Sequence, residues 1–175
     1  MLFLIRHAHA VPADEDPLRP LSLRGVDECT RLVRFFRTSG ALVPLQFWHS
    51  PLVRSRDTAD RLAAGLAPDA IRVEIPGLLP EDDPEPLARR VDALPPKAMV
   101  AIVGHEPHLG HLVTLLTRGK AKPVIVELRK AAALSLERSS SVHPKSGFPR
   151  WRLRWLVSPE LLRSSGDGEL RITTA

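Results

Sequence analysis

Residues 1–10 read MLFLIRHAHA, and two properties of this stretch decide the fold. Met1 to Ile5 are apolar without the alternation of a half-exposed strand, which predicts a strand covered on both faces. The run breaks at Arg6-His7, so polar residues are delivered at the C-terminal end of that strand, where open α/β sheets collect their ligands. Met99 to Val103 repeats the pattern, continuously apolar and closed by Gly104-His105. Strands of this kind require helices on both sides of the sheet.

The segments around them supply those helices. Ser22 is placed to cap a helix whose apolar face is Val26, Cys29, Leu32, Val33 and Phe36, with Gly40 as its stop. Leu45 to His49 predicts a second strand. Ser50-Pro51 after it reads as an N-cap with proline at the first helical position, ahead of Leu52, Ala59, Leu62, Ala63 and Leu66. Ile71, Val73 and Ile75 alternate as a third strand. Leu87, Val91 and Leu94 mark a short helix that Pro95-Pro96 ends, and Leu109, Leu112, Val113 and Leu116 mark another that Gly119 closes.

Further strands are expected near Ala131–Glu137 and Arg150–Val157, separated by residues 139–149 (SSSVHPKSGFP) as an exposed loop. In the last strand Trp151, Leu153, Trp155 and Val157 alternate with Arg150, Arg152 and Arg154, predicting one buried face and one basic face. The fold class is therefore α/β, a three-layer sandwich with a mostly parallel central sheet flanked by helices. With 175 residues and 43% hydrophobic content, the reading is a single domain over 1–175.

Composition narrows the function classes. Met1 to Ile5 is far too short for a signal peptide's apolar region or a membrane span, so the expectation is a cytoplasmic chain with no membrane partner. Cys29 is the only cysteine, forms no internal disulfide, and falls on the apolar helix face as a buried structural thiol. The net charge of +5 is concentrated late: Arg118 to Trp155 holds ten Lys/Arg against two acids. Without a nucleic-acid motif this excess reads as solvated surface, and no nucleic-acid partner is expected.

Three strand ends carry the chemistry. The first supplies Arg6 and His7, the second leads through His49-Ser50-Pro51 to Arg54, and the fourth supplies His105. A phosphoryl group in transfer spreads negative charge over its equatorial oxygens, and guanidinium forks match that geometry while staying charged. The same cations keep a neighbouring imidazole unprotonated, as a nucleophile must be. These residue types predict a phosphate clamp of Arg6 and Arg54, a nucleophile at His7, and a transition-state stabiliser at His105, with no metal and no cofactor required.

RHAHA after the first strand, SPLVRSRDTA at the second strand-to-helix turn and VGHEPHLG after the fourth together resemble the histidine phosphatase superfamily, and within it the SixA-type phosphohistidine phosphatases. RPLSLRG (19–25) and WLVSPELL (155–162) extend the resemblance over nearly the whole chain. It implies His7 as phosphoryl acceptor, Arg6, Arg54 and His105 as the phosphate pocket, and Arg19 as a substrate-binding residue from the following loop. The chain departs from the superfamily at Ala8, where most members have glycine, and in lacking an acid-bearing insertion. Glu81, in the short loop Glu81-Asp82-Asp83, is the candidate general acid by position.

A leaving imidazole needs a proton less than an alkoxide does, so a site without a dedicated acid favours phosphohistidine on a protein, such as a phosphotransfer domain or carrier. Arg150, Arg152 and Arg154 form the candidate docking strand. The alternatives are a phosphatase of a small phosphomonoester, a metal-dependent hydrolase, and a non-catalytic binding module. The metal alternative rests on His7-x-His9 and on His105, His108 and His111. No H-x-H-x-D or H-E-x-x-H accompanies them.

Overall fold

A computed structural model describes residues 1–144, 147 and 149–162. Six strands form one sheet in the order β3-β2-β4-β1-β5-β6. The strands are β1 (Leu2–Arg6), β2 (Gln46–His49), β3 (Ile71–Glu74), β4 (Val100–Gly104), β5 (Ala133–Val142) and β6 (Pro149–Val157). The first four run parallel, and β5 and β6 are antiparallel additions on one side. Helices α1 (Leu23–Ser39) and α2 (Val53–Leu66) cover one face; α3 (Pro84–Asp92) and α4 (His108–Arg118) cover the other. The expected three-layer α/β sandwich is the observed one.

The uninterrupted apolar run of β1 has its physical reason here. Leu2 and Leu4 join the core with α3 and α4, while Phe3 and Ile5 join the core with α1 and α2, so no position faces water. In β4, Val100 and Ile102 divide from Ala101 and Val103 in the same way. The helix ends predicted at Ser22, Gly40 and Gly119 hold. Ser22 accepts from the Gly25 N–H, and Gly40 and Gly119 both take left-handed backbone with φ of 63° and 75°. Cys29 is buried in the α1 face, and desolvation pushes its thiol pKa up to about 12, which leaves it inert.

Three expectations are corrected. Strand β5 runs on to Val142 and β6 starts at Pro149, so Ser139 to Val142 and Pro149 belong to the sheet and not to a loop. The rest of the expected loop includes residues 145, 146 and 148, which lie outside the described residues, as do residues 163–175 of the expected domain. The second correction concerns β6. Trp155 pairs with Ser135, but the next pair is Leu153 with Leu136, so Arg154 is an extra residue in a bulge. One inserted residue inverts the alternation. Trp151 enters the core of α3 and α4, whereas Trp155 packs on Phe3 and Phe36 on the opposite face, at ring separations of 6.0 and 5.2 Å. Arg150, Arg152 and Arg154 are nevertheless exposed, Arg154 pairing with Glu137 at 3.4 Å.

The third correction is at the start of α2. The helix begins at Val53 with Leu52 as its cap residue, so Ser50-Pro51 is not the N-cap pair that its local pattern suggests. The Ser50 hydroxyl is engaged elsewhere, as described below.

Candidate active site

The parallel ladder continues one residue beyond the strands and ties the site together. His7 N–H donates to the Gly104 carbonyl at 3.0 Å, and Ser50 N–H donates to the Val103 carbonyl at 3.2 Å. The ends of β1, β2 and β4 are thereby held side by side. His7, Arg54 and His105 meet there, as the sequence predicts.

His7 is 6% exposed, and its tautomer follows from its partners. Nδ1 lies 2.7 Å from the Ala8 carbonyl, which only accepts, so Nδ1 carries the proton. Arg54 Nε–H, which only donates, sits 3.3 Å from Nε2, so Nε2 presents a lone pair. Burial, and then the cations Arg54, Arg6 and Lys130, outweigh the Ala8 carbonyl and hold the imidazole pKa down at about 3. His7 is therefore a neutral imidazole with its basic nitrogen against a guanidinium.

Arg54 is set in the first turn of α2, and Thr58 one turn later joins the two loops. Its hydroxyl donates to the Arg54 carbonyl at 2.7 Å and accepts the Ala8 N–H at 3.0 Å. Ala8 in place of glycine is accommodated without strain: it is buried, and the described residues with positive φ other than glycine are Arg19 and Ala131.

The His105 ring lies 4.9 Å from that of His7. Its Nε2 meets the hydroxyls of Ser50 at 2.6 Å and Ser55 at 3.1 Å, while Nδ1 is buried without a partner among the described residues. Burial, followed by His7, Arg54, His108 and Arg6, depresses its pKa to about 3, so positive charge in this site comes from the arginines. Ser50 also accepts the Leu52 N–H at 3.3 Å, leaving its own hydrogen for His105.

Arg6 is anchored through Nη1 to the Leu128 carbonyl at 2.7 Å, and its Nε is buried without a partner among the described residues. Glu106 secures that anchor, accepting the Leu128 N–H at 2.7 Å and the Gly110 N–H at 3.1 Å. Burial nonetheless raises the Glu106 pKa. On the other side, the buried Glu28 accepts the His9 N–H at 2.8 Å and Arg24 Nε–H at 2.9 Å. Gly25 allows this approach, since a β-carbon there would fall 2.0 Å from the His9 carbonyl oxygen.

Arg19, with φ of 53°, donates through Nε to the Val11 carbonyl at 3.2 Å and makes no ion pair with Asp14, Glu15 or Asp16 among the described residues. Its charge is felt by Arg54 and His9. Glu81 is exposed in the turn before α3, and its neighbours Asp82 and Asp83 face His108. No hydrogen bond or ion pair joins Glu81 to His7, Arg54 or His105 among the described residues. His9 Nδ1 is engaged with Ser22 Oγ at 2.8 Å, and the described residues hold no group of three His, Cys, Asp or Glu side chains converging as a metal site.

The structure also places residues the sequence does not single out. Ser50, Ser55 and Thr58 are legible only as letters of the SPLVRSRDTA stretch. Glu28, Glu106 and Lys130 carry no signal, because a single charged residue in a helix or loop is ordinarily a solvated one.

The backbone is similar to those of solved structures. A protein histidine phosphatase SixA complexed with tungstate superposes with a TM-score of 0.73 at 24% identity, covering 90% of this chain and 96% of that one. The fold is that of the histidine phosphatases. A mycobacterial glucosyl-3-phosphoglycerate phosphatase shares it with a TM-score of 0.63 at 18% identity, over 87% of this chain and 96% of its own. So does an Entamoeba histolytica phosphoserine phosphatase complexed with 3-phosphoglyceric acid, with a TM-score of 0.64 at 15% identity, over 90% of this chain and 96% of its own. No family model matches the sequence, and no curated protein matches it. Among the described residues, no helix of this histidine phosphatase fold is long and apolar enough to cross a membrane.

Proposed function

We propose that the protein is a phosphatase of the histidine phosphatase superfamily, with His7 as nucleophile and phosphohistidine on a protein as substrate. The observation that carries this reading is the tautomer of His7: Nδ1–H spent on the Ala8 carbonyl, Nε2 unprotonated beside Arg54. In the first step Nε2 attacks phosphorus in line, the new N–P bond forming as the bond to the leaving imidazole breaks, and that imidazole takes a proton from solvent. In the second, water attacks phosphorus, the N–P bond to His7 breaks, and inorganic phosphate leaves with the proton lost by water. Arg6 and Arg54 bear the equatorial charge, His105 donates from Nδ1–H, and Arg19 binds substrate from its loop.

The tungstate held by the SixA neighbour is an oxyanion of phosphate's shape, which supports a phosphate pocket on this fold. Two other neighbours are named for small phosphomonoester substrates, which keeps such a substrate as the second reading. An alkoxide leaving group requires an acid, and Glu81 is the residue proposed for it. Purified protein in EDTA is expected to hydrolyse a phosphohistidine peptide faster than a simple alkyl phosphate. The reverse preference would select the second reading, and activity lost only in chelator would select the metal-dependent one.

Glu106→Gln removes one of two acceptors and loosens the Leu128 anchor of Arg6. We expect kcat/KM to fall by about tenfold, with inorganic phosphate binding weakened in parallel. Unchanged phosphate affinity would show that Arg6 is held without this carboxylate.

The pH dependence follows from the two depressed histidines. Both are neutral in the folded protein at pH values where an unfolded histidine, with a pKa near 6.5, is protonated. Between about 6.5 and 3 the unfolded chain therefore binds more protons, so stability falls as pH drops through this window. Urea midpoints measured from pH 7 to 4 are expected to decline, and His7 and His105 imidazole resonances are expected to stay in their neutral form at pH 5. A titration near pH 6.5 for either ring would contradict the burial argument.

A further inference from the structure

A cavity of about 470 Å³ opens from Arg6, the residue preceding His7, and is lined by His9, Arg24, Glu127, Arg129, Lys130 and Glu160 as well. The mechanism above uses only Arg6 of this set. Two of its cations are already matched: Arg24 donates to Glu28 at 2.9 Å, and Arg129 meets Glu160 at 3.2 Å. Lys130 is different. Its ammonium has no hydrogen-bond or ion-pair partner among the described residues, although Arg6, Arg19 and Arg24 all face it. The carboxylate that acts on it most strongly, Glu28, is committed to His9 N–H and Arg24, and of the two acids lining the cavity Glu160 is paired with Arg129 and Glu127 forms no bond to Lys130 among the described residues.

The chain is bent to put the lysine there. Ala131, the next residue, is fully buried at φ of 56°, backbone that a residue with a β-carbon rarely adopts. That turn lets Ala131 N–H reach the His7 carbonyl at 3.2 Å, so Lys130 is set one residue from a bond to the nucleophile's own backbone. An anion joining Lys130 would offset the mutual repulsion of these cations.

We propose that Lys130, in the cavity that opens from Arg6, binds a second anionic group of the substrate whose phosphoryl group Arg6 holds. On a phosphohistidine protein this group is an Asp or Glu carboxylate flanking the phosphorylated histidine; on a small substrate it is the molecule's own carboxylate. The proposal rests on the phosphatase reading, and it adds that the enzyme reads two charges and not one.

The test is calorimetric binding of 3-phosphonopropionate and of its amide to the wild type, Lys130→Met and Lys130→Arg. The wild type is expected to prefer the carboxylate by about tenfold, the arginine variant to keep that preference, and the methionine variant to lose it to within about twofold. Equal affinity of the wild type for both, or a preference untouched by Lys130→Met, overturns the proposal. Failure of the wild type to bind either phosphonate or inorganic phosphate overturns the phosphate pocket itself, and the subsite with it. Turnover of phosphohistidine peptides with Glu or Gln beside the histidine then distinguishes the sources. A lower KM for the Glu peptide, erased by Lys130→Met, assigns the second charge to protein. Indifference to the flank, with the phosphonate preference intact, assigns it to a small molecule.

Discussion

His7→Ala is expected to reduce phosphatase turnover by about 10⁵-fold or more, the scale on which loss of a covalent nucleophile is felt in enzymes whose groups act as a unit. No neighbour replaces it. His105 lies 4.9 Å away ring to ring, but its Nε2 is occupied by Ser50 and Ser55, which leaves its proton on Nδ1. Water attacking directly would still find Arg6 and Arg54, so a small residual rate is expected from electrostatics alone. The variant should retain affinity for inorganic phosphate, which separates loss of chemistry from loss of the pocket. In the wild type, rapid acid-free quenching of a radiolabelled reaction should trap phosphate on His7, as an acid-labile, base-stable adduct. Turnover within tenfold of wild type in His7→Ala would remove the covalent mechanism altogether.

Arg54→Ala is expected to cost about 10³-fold in kcat/KM, the lower range for an arginine that stabilises phosphoryl transfer. The residue has two tasks that the geometry makes separable. In the proposed mechanism its fork binds equatorial oxygens, and its Nε–H lies 3.3 Å from His7 Nε2, favouring the tautomer with that nitrogen unprotonated. Lysine supplies charge without the fork or the Nε–H, so Arg54→Lys should recover only a small part of the loss. Because Arg54 is one of the cations holding the His7 pKa down, its removal should also shift the His7 titration upward. A full recovery by lysine would reduce the role of Arg54 to charge alone.

Local pattern was sufficient wherever one physical demand dominated a segment. The short apolar runs Leu2–Ile5 and Val100–Val103, each closed by polar or glycine residues, have the pattern of strands covered on both faces, and such strands imply helices on each side. Ser22, Gly40 and Gly119 mark helix ends because capping is a matter of a few adjacent residues. His7, Arg54 and His105 were legible as a set because each follows a strand that the pattern had already placed.

Pattern failed where two demands compete for one residue. Ser50-Pro51 has the letters of a helix N-cap, yet the Ser50 hydroxyl lies 2.6 Å from His105 Nε2, a partner 55 positions away. The Trp151–Val157 stretch alternates on paper, but the bulge at Arg154 divides its two tryptophans between opposite cores. A bulge depends on how two strands fit over the packed helices, and one strand's sequence does not contain that information.

The amino-acid sequence alone thus determined the layered α/β class, the parallel strands and the identity of the histidines and arginines at their ends. These follow from hydrophobic period and from side-chain chemistry, both local properties. Only the tertiary structure decided which nitrogen of His7 is bare, what holds Arg6 and His105 in place, and that Lys130 stands near Arg6 without a partner among the described residues. Protonation state and charge balance are set by burial and by neighbours brought together from distant parts of the chain, and those exist only once it has folded.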